Sequence, residues 1–119
     1  MLGSVPVADR PSRVFYRILE GPTPVLRDFT SYRALGRTPR RKTPEVLRRW
    51  SGISAYATEE GARATARWRP SIGRYIAAVA VEDGAPIRWE QTGDPDVGHH
   101  TLWGTPTDLL ERVVSVVLV

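Results

Sequence analysis

The chain of 119 residues contains no cysteine, a single lysine and two histidines, and these absences narrow the chemistry that it can carry. Without cysteine there is no disulfide, no thiol nucleophile and no cysteine-ligated zinc. The two histidines, His99 and His100, are adjacent, so a three-histidine metal site cannot form and we predict no metal site. No apolar run approaches the roughly 18 residues that span a bilayer.

The N-terminal sequence, MLGSVPVADRPSR, has neither the basic start nor the long apolar core of a signal peptide. We therefore expect a cytoplasmic protein with no membrane association. The length is that of one domain, and such a chain can bury a core without disulfides or metals. We predict that residues 1–12 form a flexible arm and that residues 13–119 form the single domain.

The chain is basic, and its net charge of +4 and its pI near 10.1 come almost wholly from arginine. One cluster is denser than the rest of the chain and contains Arg37, Arg40, Arg41, Lys42, Arg48 and Arg49. Such a cluster is typical of a surface that binds nucleic-acid phosphates, a nucleotide pyrophosphate or an acidic protein. A solvated loop and helix face is the alternative. No zinc finger, RRM signature or GXXG loop accompanies the cluster.

Apolar and β-branched runs separated by Gly, Pro and Asp predict six strands. These runs are residues 14–19, 53–57, 74–81, 86–91, 99–103 and 112–119. The dipeptide Asp83-Gly84 is a tight-turn signal, so we expect residues 86–91 to pair back onto residues 74–81 as a hairpin.

Helix starts are marked by capping residues between these strands. Asp28 predicts a short helix over residues 29–35 that ends at Gly36, and Thr43, Thr58 and Thr105 each precede a further helix. The resulting order predicts an α+β domain with a mostly antiparallel sheet and three to four short helices.

Common catalytic signatures are absent from the sequence. There is no G-x-S-x-G nucleophile elbow, no P-loop and no G-x-G-x-x-G. His99 and His100 lie in a predicted strand, where successive side chains point to opposite faces, so only one imidazole can face a given pocket.

One arrangement does point to a chemistry. Arg17 lies in the first strand, VFYRIL, and a later G-x-x-x-Y-x-T, led by Gly52, precedes a helix containing A-x-x-x-A. This order resembles the nicotinamide-binding half of ADP-ribosyltransferase-like domains, including the bacterial RES-type NAD-degrading toxins. The resemblance implies that NAD is bound as a substrate. It also implies that Arg17 contacts the ribose or phosphate of NAD, and that Tyr56, with Ser54 or Thr58, lies against the nicotinamide ribose.

The third motif of the family departs from this pattern. The family places a catalytic glutamate on a late strand, where it stabilises the oxocarbenium character that develops as nicotinamide leaves. The late strand here, HHTLW, has no carboxylate, and Glu90 in IRWEQ is the nearest strand-borne candidate. Either Glu90 or a histidine, His99, takes the catalytic role, or the domain binds a nucleotide without turning it over.

Two functions therefore follow from the sequence. The first is an NAD-dependent ADP-ribosyltransferase or NAD glycohydrolase. The second is a non-catalytic interaction module that uses the basic cluster. The simpler alternatives are that Arg17 points to solvent or pairs with Glu20 or Asp28, and that Tyr56 is a core-edge aromatic. The enzymatic hypothesis requires Arg17 and Tyr56 to share one cleft.

Overall fold

The computed structural model describes residues 12–39 and 41–119. Among these residues the chain forms six strands, three α-helices and two 3₁₀ helices. The strands are β1 (Ser12–Leu19), β2 (Ile53–Tyr56), β3 (Tyr75–Glu82), β4 (Arg88–Gln91), β5 (His99–Trp103) and β6 (Val113–Leu118). The helices are α1 (Pro44–Trp50), α2 (Glu59–Trp68) and α3 (Pro106–Leu110), with 3₁₀ helices at Leu26–Phe29 and Pro95–Val97. The predicted α+β class with an antiparallel sheet is confirmed.

The six strands form one sheet in the order β4-β5-β2-β1-β3-β6, and every described pairing is antiparallel. The ladder is not uniform across this order. β1 pairs with β3 over eight residue pairs, whereas β1 and β2 are paired only at Tyr16 and Tyr56. The sheet therefore consists of two three-stranded halves whose ladders are joined at one residue pair, and the candidate site lies beside that pair.

Alternation along the strands gives the sheet two packed faces. One face carries the larger core, in which Phe15, Phe29 and Leu102 are fully buried. The other face is covered by α2, whose Ala62 and Ala66 pack closely enough to be buried. Small residues four positions apart lie on one face of a helix, so no bulky side chain separates this helix from the sheet.

The predicted threonine caps are confirmed at three helix starts. The hydroxyl oxygens of Thr43, Thr58 and Thr105 accept hydrogen bonds from backbone amides three residues later, at 3.2, 3.0 and 3.1 Å. Each of these bonds satisfies an amide that has no partner within its helix. Local chemistry thus sets where these helices begin.

The helix predicted over residues 29–35 is wrong. A 3₁₀ helix ends at Phe29 and a series of turns follows. Asp28 does cap this segment, because its Oδ2 accepts from the Val25 amide at 2.8 Å. Hydroxyl side chains then compete with helical hydrogen bonding. The Thr30 hydroxyl donates to the Leu26 carbonyl at 2.8 Å, and the Ser31 hydroxyl accepts from the Ala34 amide at 3.2 Å.

The hairpin between residues 74–81 and 86–91 is also wrong. The tight turn itself exists, since the Ala85 amide donates to the Glu82 carbonyl at 3.1 Å and Gly84 has φ +84°. However, both edges of β3 are occupied, by β1 on one side and β6 on the other, and β4 pairs with β5 at the opposite end of the sheet. The turn signal correctly predicted that the chain reverses direction here, but it did not determine which strand β4 pairs with.

The N-terminal arm predicted for residues 1–12 lies outside the described residues, except that Ser12 begins β1. None of the helices within residues 12–39 and 41–119 has the length and apolar character needed to cross a membrane.

Gly61 provides a test of how α2 is seated. A Cβ at this position would overlap the carbonyl oxygen of Val97 and lie 3.2 Å from the hydroxyl of Thr58. Alanine in a helix normally stabilises by about 1 kcal/mol relative to glycine. Here we expect Gly61→Ala to lower the free energy of unfolding by about 1–3 kcal/mol, because the extra atom overfills the contact. Urea denaturation measures this change.

The matched control is Gly21→Ala, at a glycine that has open space around it and no positive φ. We expect this control to change the free energy of unfolding by less than about 0.5 kcal/mol. An unchanged or raised stability for Gly61→Ala would show that α2 does not pack as described.

Candidate functional site

A cleft of about 620 Å³ lies where β1 and β2 separate. Its walls come from β1, β2, the start of β5, the segment that contains the first 3₁₀ helix, and the C-terminal end of α2. This volume falls in the range of small-molecule sites. Four of the residues singled out from the sequence line it, namely Arg17, Ser54, Tyr56 and His99.

Arg17 occupies the gap between the two halves of the sheet. Its Nη1 donates to the carbonyl oxygen of Ser54 on β2 at 2.6 Å, and its Nε donates to the carbonyl oxygen of Asp28 at 2.9 Å. A backbone carbonyl at a strand edge takes its hydrogen-bond partner from a neighbouring strand, a side chain or water. Where the β1–β2 ladder stops, the guanidinium supplies one. Arg17 thus connects β1 to β2 and to the 3₁₀ segment at once.

The guanidinium of Arg17 is not neutralised by an acid. Among the described residues it forms no ion pair, and its contact with Asp28 is to the backbone rather than to the carboxylate. Burial lowers the pKa of Arg17 from its usual value, while Tyr32, Asp28 and Tyr56 act to raise it. Arginine nevertheless stays protonated in proteins. Arg17 therefore places a positive charge in the cleft that is only partly compensated, by two backbone carbonyls and the nearby Asp28.

Further charges line the same cleft. Arg27, Arg37, Arg49 and Arg69 join Arg17, and three carboxylates, Glu20, Asp28 and Asp94, oppose them. With His99 neutral the formal charge of the lining is therefore +2. Asp28 and Asp94 already accept hydrogen bonds from backbone amides of their own segments, at 2.8 and 2.9 Å. The lining therefore carries an excess of positive charge, which would attract an anion.

Tyr56 and His99 form the aromatic wall of the cleft. They are directly opposite in the β2–β5 ladder, where facing side chains are close enough to pack. Their rings are 5.4 Å apart and nearly perpendicular, at 83°. Tyr56 is 7% exposed, so most of its ring belongs to the core and one edge lines the cleft. Tyr56 is therefore a core-edge aromatic, and its position at the cleft is also the one that the site interpretation requires.

His99 has a defined tautomer when it is neutral. Its Nδ1 lies 3.0 Å from the carbonyl oxygen of Thr92, which can only accept, so Nδ1 carries the hydrogen. The hydroxyl of Thr92, 3.1 Å from Nδ1, is itself 2.8 Å from the hydroxyl of Thr101. This arrangement leaves Nε2 as a hydrogen-bond acceptor on the imidazole that lines the cleft.

The pKa of His99 is lowered from its usual value. Burial is the main cause, and the positive charges of Arg49 and His100 lower it further, whereas the hydrogen bond to Thr92 and the charge of Asp94 raise it. A lowered pKa favours the neutral imidazole near pH 7. His99 is thereby poised as a proton acceptor rather than a cation.

His100 lies on the opposite face of β5, as strand alternation predicted. Its ring is 5.3 Å from that of Phe15 in the larger core, and its Nδ1 is 2.8 Å from the carbonyl oxygen of Gly98. His100 is therefore a satisfied core histidine, and only one imidazole of the pair reaches the cleft.

The remaining members of the sequence motif have structural roles. Thr58 caps α2 and does not line the cleft. A Cβ on Gly52 would lie 2.7 Å from the carbonyl oxygen of Leu102, so glycine is required there by close packing against β5. Of the G-x-x-x-Y-x-T pattern, only Tyr56 and the neighbouring Ser54 face the cleft.

Glu90 does not reach the cleft. Its side chain is 44% exposed and forms an ion pair with Arg48 at 3.2 Å, on the neighbouring surface. It is absent from the cleft lining. The carboxylate expected from the late-strand motif is therefore not supplied by Glu90.

The basic cluster divides between the cleft and the surface. Arg37 and Arg49 line the cleft, Arg48 pairs with Glu90, and Arg41 and Lys42 lie exposed in the preceding loop. Arg40 falls outside the described residues. Part of this cluster thus belongs to the same site as Arg17.

Several residues of the site carried no recognised signal in the sequence. Arg27 and Arg69 come from separate segments, and Thr92 lies between the strands predicted over residues 86–91 and 99–103. The available signal was the Thr-Gly-Asp run at residues 92–94. Gly93 has φ +61°, and a Cβ there would lie 2.8 Å from Nδ1 of His99. Only glycine lets this loop close around the imidazole.

A second, more open depression of about 800 Å³ lies beside β4, lined by Ile87, Trp89 and Trp103. The guanidinium of Arg88 is 4.7 Å from the Trp103 ring centroid. None of the site residues predicted from the sequence lies there.

Within the described residues no group of three His, Asp or Glu side chains is arranged to hold a metal ion. No protein-family model, no curated protein and no solved structure matches this chain. What the site does must therefore be inferred from its own geometry.

His99 gives a testable pH dependence. Because its folded-state pKa lies below the unfolded value of about 6.5, the unfolded chain binds a proton that the folded chain does not. We expect the free energy of unfolding to fall as the pH drops below about 6.5, by at most about 1.4 kcal/mol per pH unit until the folded-state pKa is passed. Urea denaturation from pH 7.5 to 5.0 measures this slope.

His99→Asn is the matched variant, because it retains an N–H that can donate to the Thr92 carbonyl. It should lose this part of the pH dependence. An imidazole NMR titration that places the pKa of His99 at or above 6.5 would contradict the prediction.

Proposed function

We propose that the cleft binds NAD and that this chain is a small cytoplasmic ADP-ribosyltransferase-like domain. The observation that carries the proposal is the convergence of Arg17, Tyr56 and His99 on one cleft. They come from β1, β2 and β5, which include the first-strand, second-strand and late-strand positions that the sequence resemblance implies.

The charges and surfaces of the cleft match the parts of NAD. The pyrophosphate carries two negative charges, and guanidinium groups form charge-assisted hydrogen bonds with phosphate oxygens. Arg17 is held in place by two backbone carbonyls and needs no carboxylate partner to stay ordered. The half-apolar wall of Tyr56 and His99 suits the nicotinamide ring, and the exposed Ser54 hydroxyl suits a ribose hydroxyl.

His99 stands on the strand where the family has its glutamate. In the proposed reaction the bond between C1′ of the ribose and the nicotinamide nitrogen breaks, and nicotinamide leaves with the bonding electrons as a neutral molecule. A water or an acceptor hydroxyl forms the new C1′–O bond, and its proton passes to Nε2 of His99. A neutral imidazole can accept this proton but gives less support to the developing positive charge than a carboxylate does. We therefore expect slow cleavage alongside clear binding.

Arg17→Ala tests binding. Losing a charge-assisted hydrogen bond costs about 1.5–3 kcal/mol, so we expect at least tenfold weaker NAD binding by isothermal titration calorimetry. Arg17→Lys keeps the positive charge but lacks the planar guanidinium that hydrogen-bonds two carbonyls. Its affinity for NAD should therefore lie between those of Arg17→Ala and the unmutated protein. Arg13→Ala, four residues earlier on the same strand and exposed, is the control and should bind NAD normally.

Circular dichroism and urea denaturation of each variant separate lost binding from lost folding. Ser54→Ala, at an exposed side chain that makes no hydrogen bond among the described residues, is a second probe and should weaken NAD binding with the fold intact. The absence of any heat with the unmutated protein, or equal losses in Arg13→Ala and Arg17→Ala, would refute the proposal.

Glu90→Gln separates the two candidate catalytic residues. Because Glu90 lies outside the cleft, we expect this variant to release nicotinamide at the unmutated rate, whereas His99→Asn loses that activity. The exposed Glu90–Arg48 pair contributes at most about 1 kcal/mol to stability, so folding should be nearly unchanged. A loss of activity in Glu90→Gln with normal NAD binding would assign catalysis to Glu90 instead.

A further inference from the structure

The positive charge of this chain is concentrated in one segment. Residues 26–49 contain eight basic and two acidic residues, a net charge of +6. The whole chain has a net charge of +4, so the other residues together are net −2. Such segregation creates a strong local potential, which attracts polyanions more than the modest overall charge would.

The segment 26–49, which we call the basic wall, forms one side of the cleft. Arg27, Arg37 and Arg49 line the cleft directly. The Arg33 amide donates to the carbonyl of Trp50 at 3.3 Å, which ties the turn after the first 3₁₀ helix to the end of α1. The turn after the first 3₁₀ helix and α1 are therefore joined, and three arginines of the basic wall share the cleft.

Most of this charge is not compensated. Among the described residues of the basic wall, only Arg48 forms an ion pair. Arg33, Arg41 and Lys42 are exposed without lining the cleft, so the charge extends beyond the space that a dinucleotide would fill. A longer anion could contact these residues and the cleft together.

Two exposed aromatic rings accompany these charges. Tyr32 is 58% exposed, lines the cleft and lies under the guanidinium of Arg37, whose carbon is 5.2 Å from the ring centroid. Trp68 is 79% exposed at the end of α2, directly before Arg69, which also lines the cleft. Basic grooves that combine arginines with exposed aromatic rings are typical of single-strand nucleic-acid binding, because every base can stack on an aromatic face.

We propose that the basic wall, with Tyr32 and Trp68, binds single-stranded nucleic acid. Phosphates contact the arginines and unpaired bases stack on the two rings. An acidic protein would satisfy the charge but gives no reason for the exposed rings, and paired bases of a duplex are not free to stack on them. This function goes beyond NAD binding and stands whether or not the cleft binds NAD.

Fluorescence anisotropy with a labelled 15-nucleotide single strand tests the proposal on the full chain. We expect binding to weaken steeply between 50 and 200 mM salt. Arg33→Ala combined with Arg41→Ala removes two exposed charges, so the slope of log K against log salt should become less steep by about 1.4. Arg13→Ala combined with Arg88→Ala removes the same charge elsewhere and should leave the slope unchanged.

Stacking is tested separately with Tyr32→Leu and Trp68→Leu, which retain apolar bulk at exposed positions. Each should weaken single-strand binding by roughly fivefold to a hundredfold. Equal affinity for a duplex of the same length or for polyglutamate, with no effect of either leucine variant, would overturn the proposal in favour of a general polyanion surface. The proposal would also be overturned if the two double arginine variants lost the same amount of single-strand affinity.

Calorimetry with NAD on the same proteins distinguishes the two functions. Arg33 and Arg41 do not line the cleft, so their double variant should bind NAD normally. Loss of oligonucleotide binding with retained NAD heat isolates the basic wall. Oligonucleotide binding by a protein that gives no NAD heat would overturn only the NAD proposal.

Discussion

The connection between the two halves of the sheet depends on the guanidinium of Arg17, which forms hydrogen bonds where β1 and β2 have no ladder pairing. β1 and β2 are paired at a single point, and beside it Arg17 donates to the Ser54 carbonyl and to the Asp28 carbonyl. A continuous ladder between β1 and β2 would satisfy the backbone hydrogen-bonding groups of both strands, but it would leave no cleft between them. Because a charged side chain makes the connection instead, the sheet keeps both its continuity and an opening. The same atom group that holds the two halves together therefore places a positive charge at the cleft.

That placement has an electrostatic consequence for the rest of the site. A half-buried cation that lacks a carboxylate partner is costly unless hydrogen bonds or an anion compensate it. The two backbone carbonyls compensate part of the charge of Arg17. The lining as a whole contains more arginines than carboxylates, so its net charge stays positive. The lowered pKa of His99 belongs to the same environment, since burial and the charge of Arg49 both disfavour its protonated form. The positive charge of the cleft lining and the lowered pKa of His99 are thus linked through Arg49.

The sequence predicted a substantial part of the candidate site. Arg17, Tyr56 and His99 were found from strand position and family resemblance, and they do line one cleft. Thr92 was not predicted, because a Thr-Gly-Asp run indicates a loop but does not indicate which side chain the Thr92 carbonyl contacts. Glu90 was proposed because it lies on a strand near the late motif, but the direction of its side chain depends on the pairing of β4, which local sequence does not specify.

The sequence by itself determined what short-range chemistry controls. Threonine caps began three helices, alternation sent His99 and His100 to opposite faces, and the charge was concentrated in residues 26–49. Only the tertiary structure decided which strands are neighbours, that β4 joins β5 rather than β3, and that β1 parts from β2. The reason is physical. A cap or an alternating strand involves atoms a few residues apart, whereas strand order and the cleft arise from competition among all strand edges and from burial across the whole sheet.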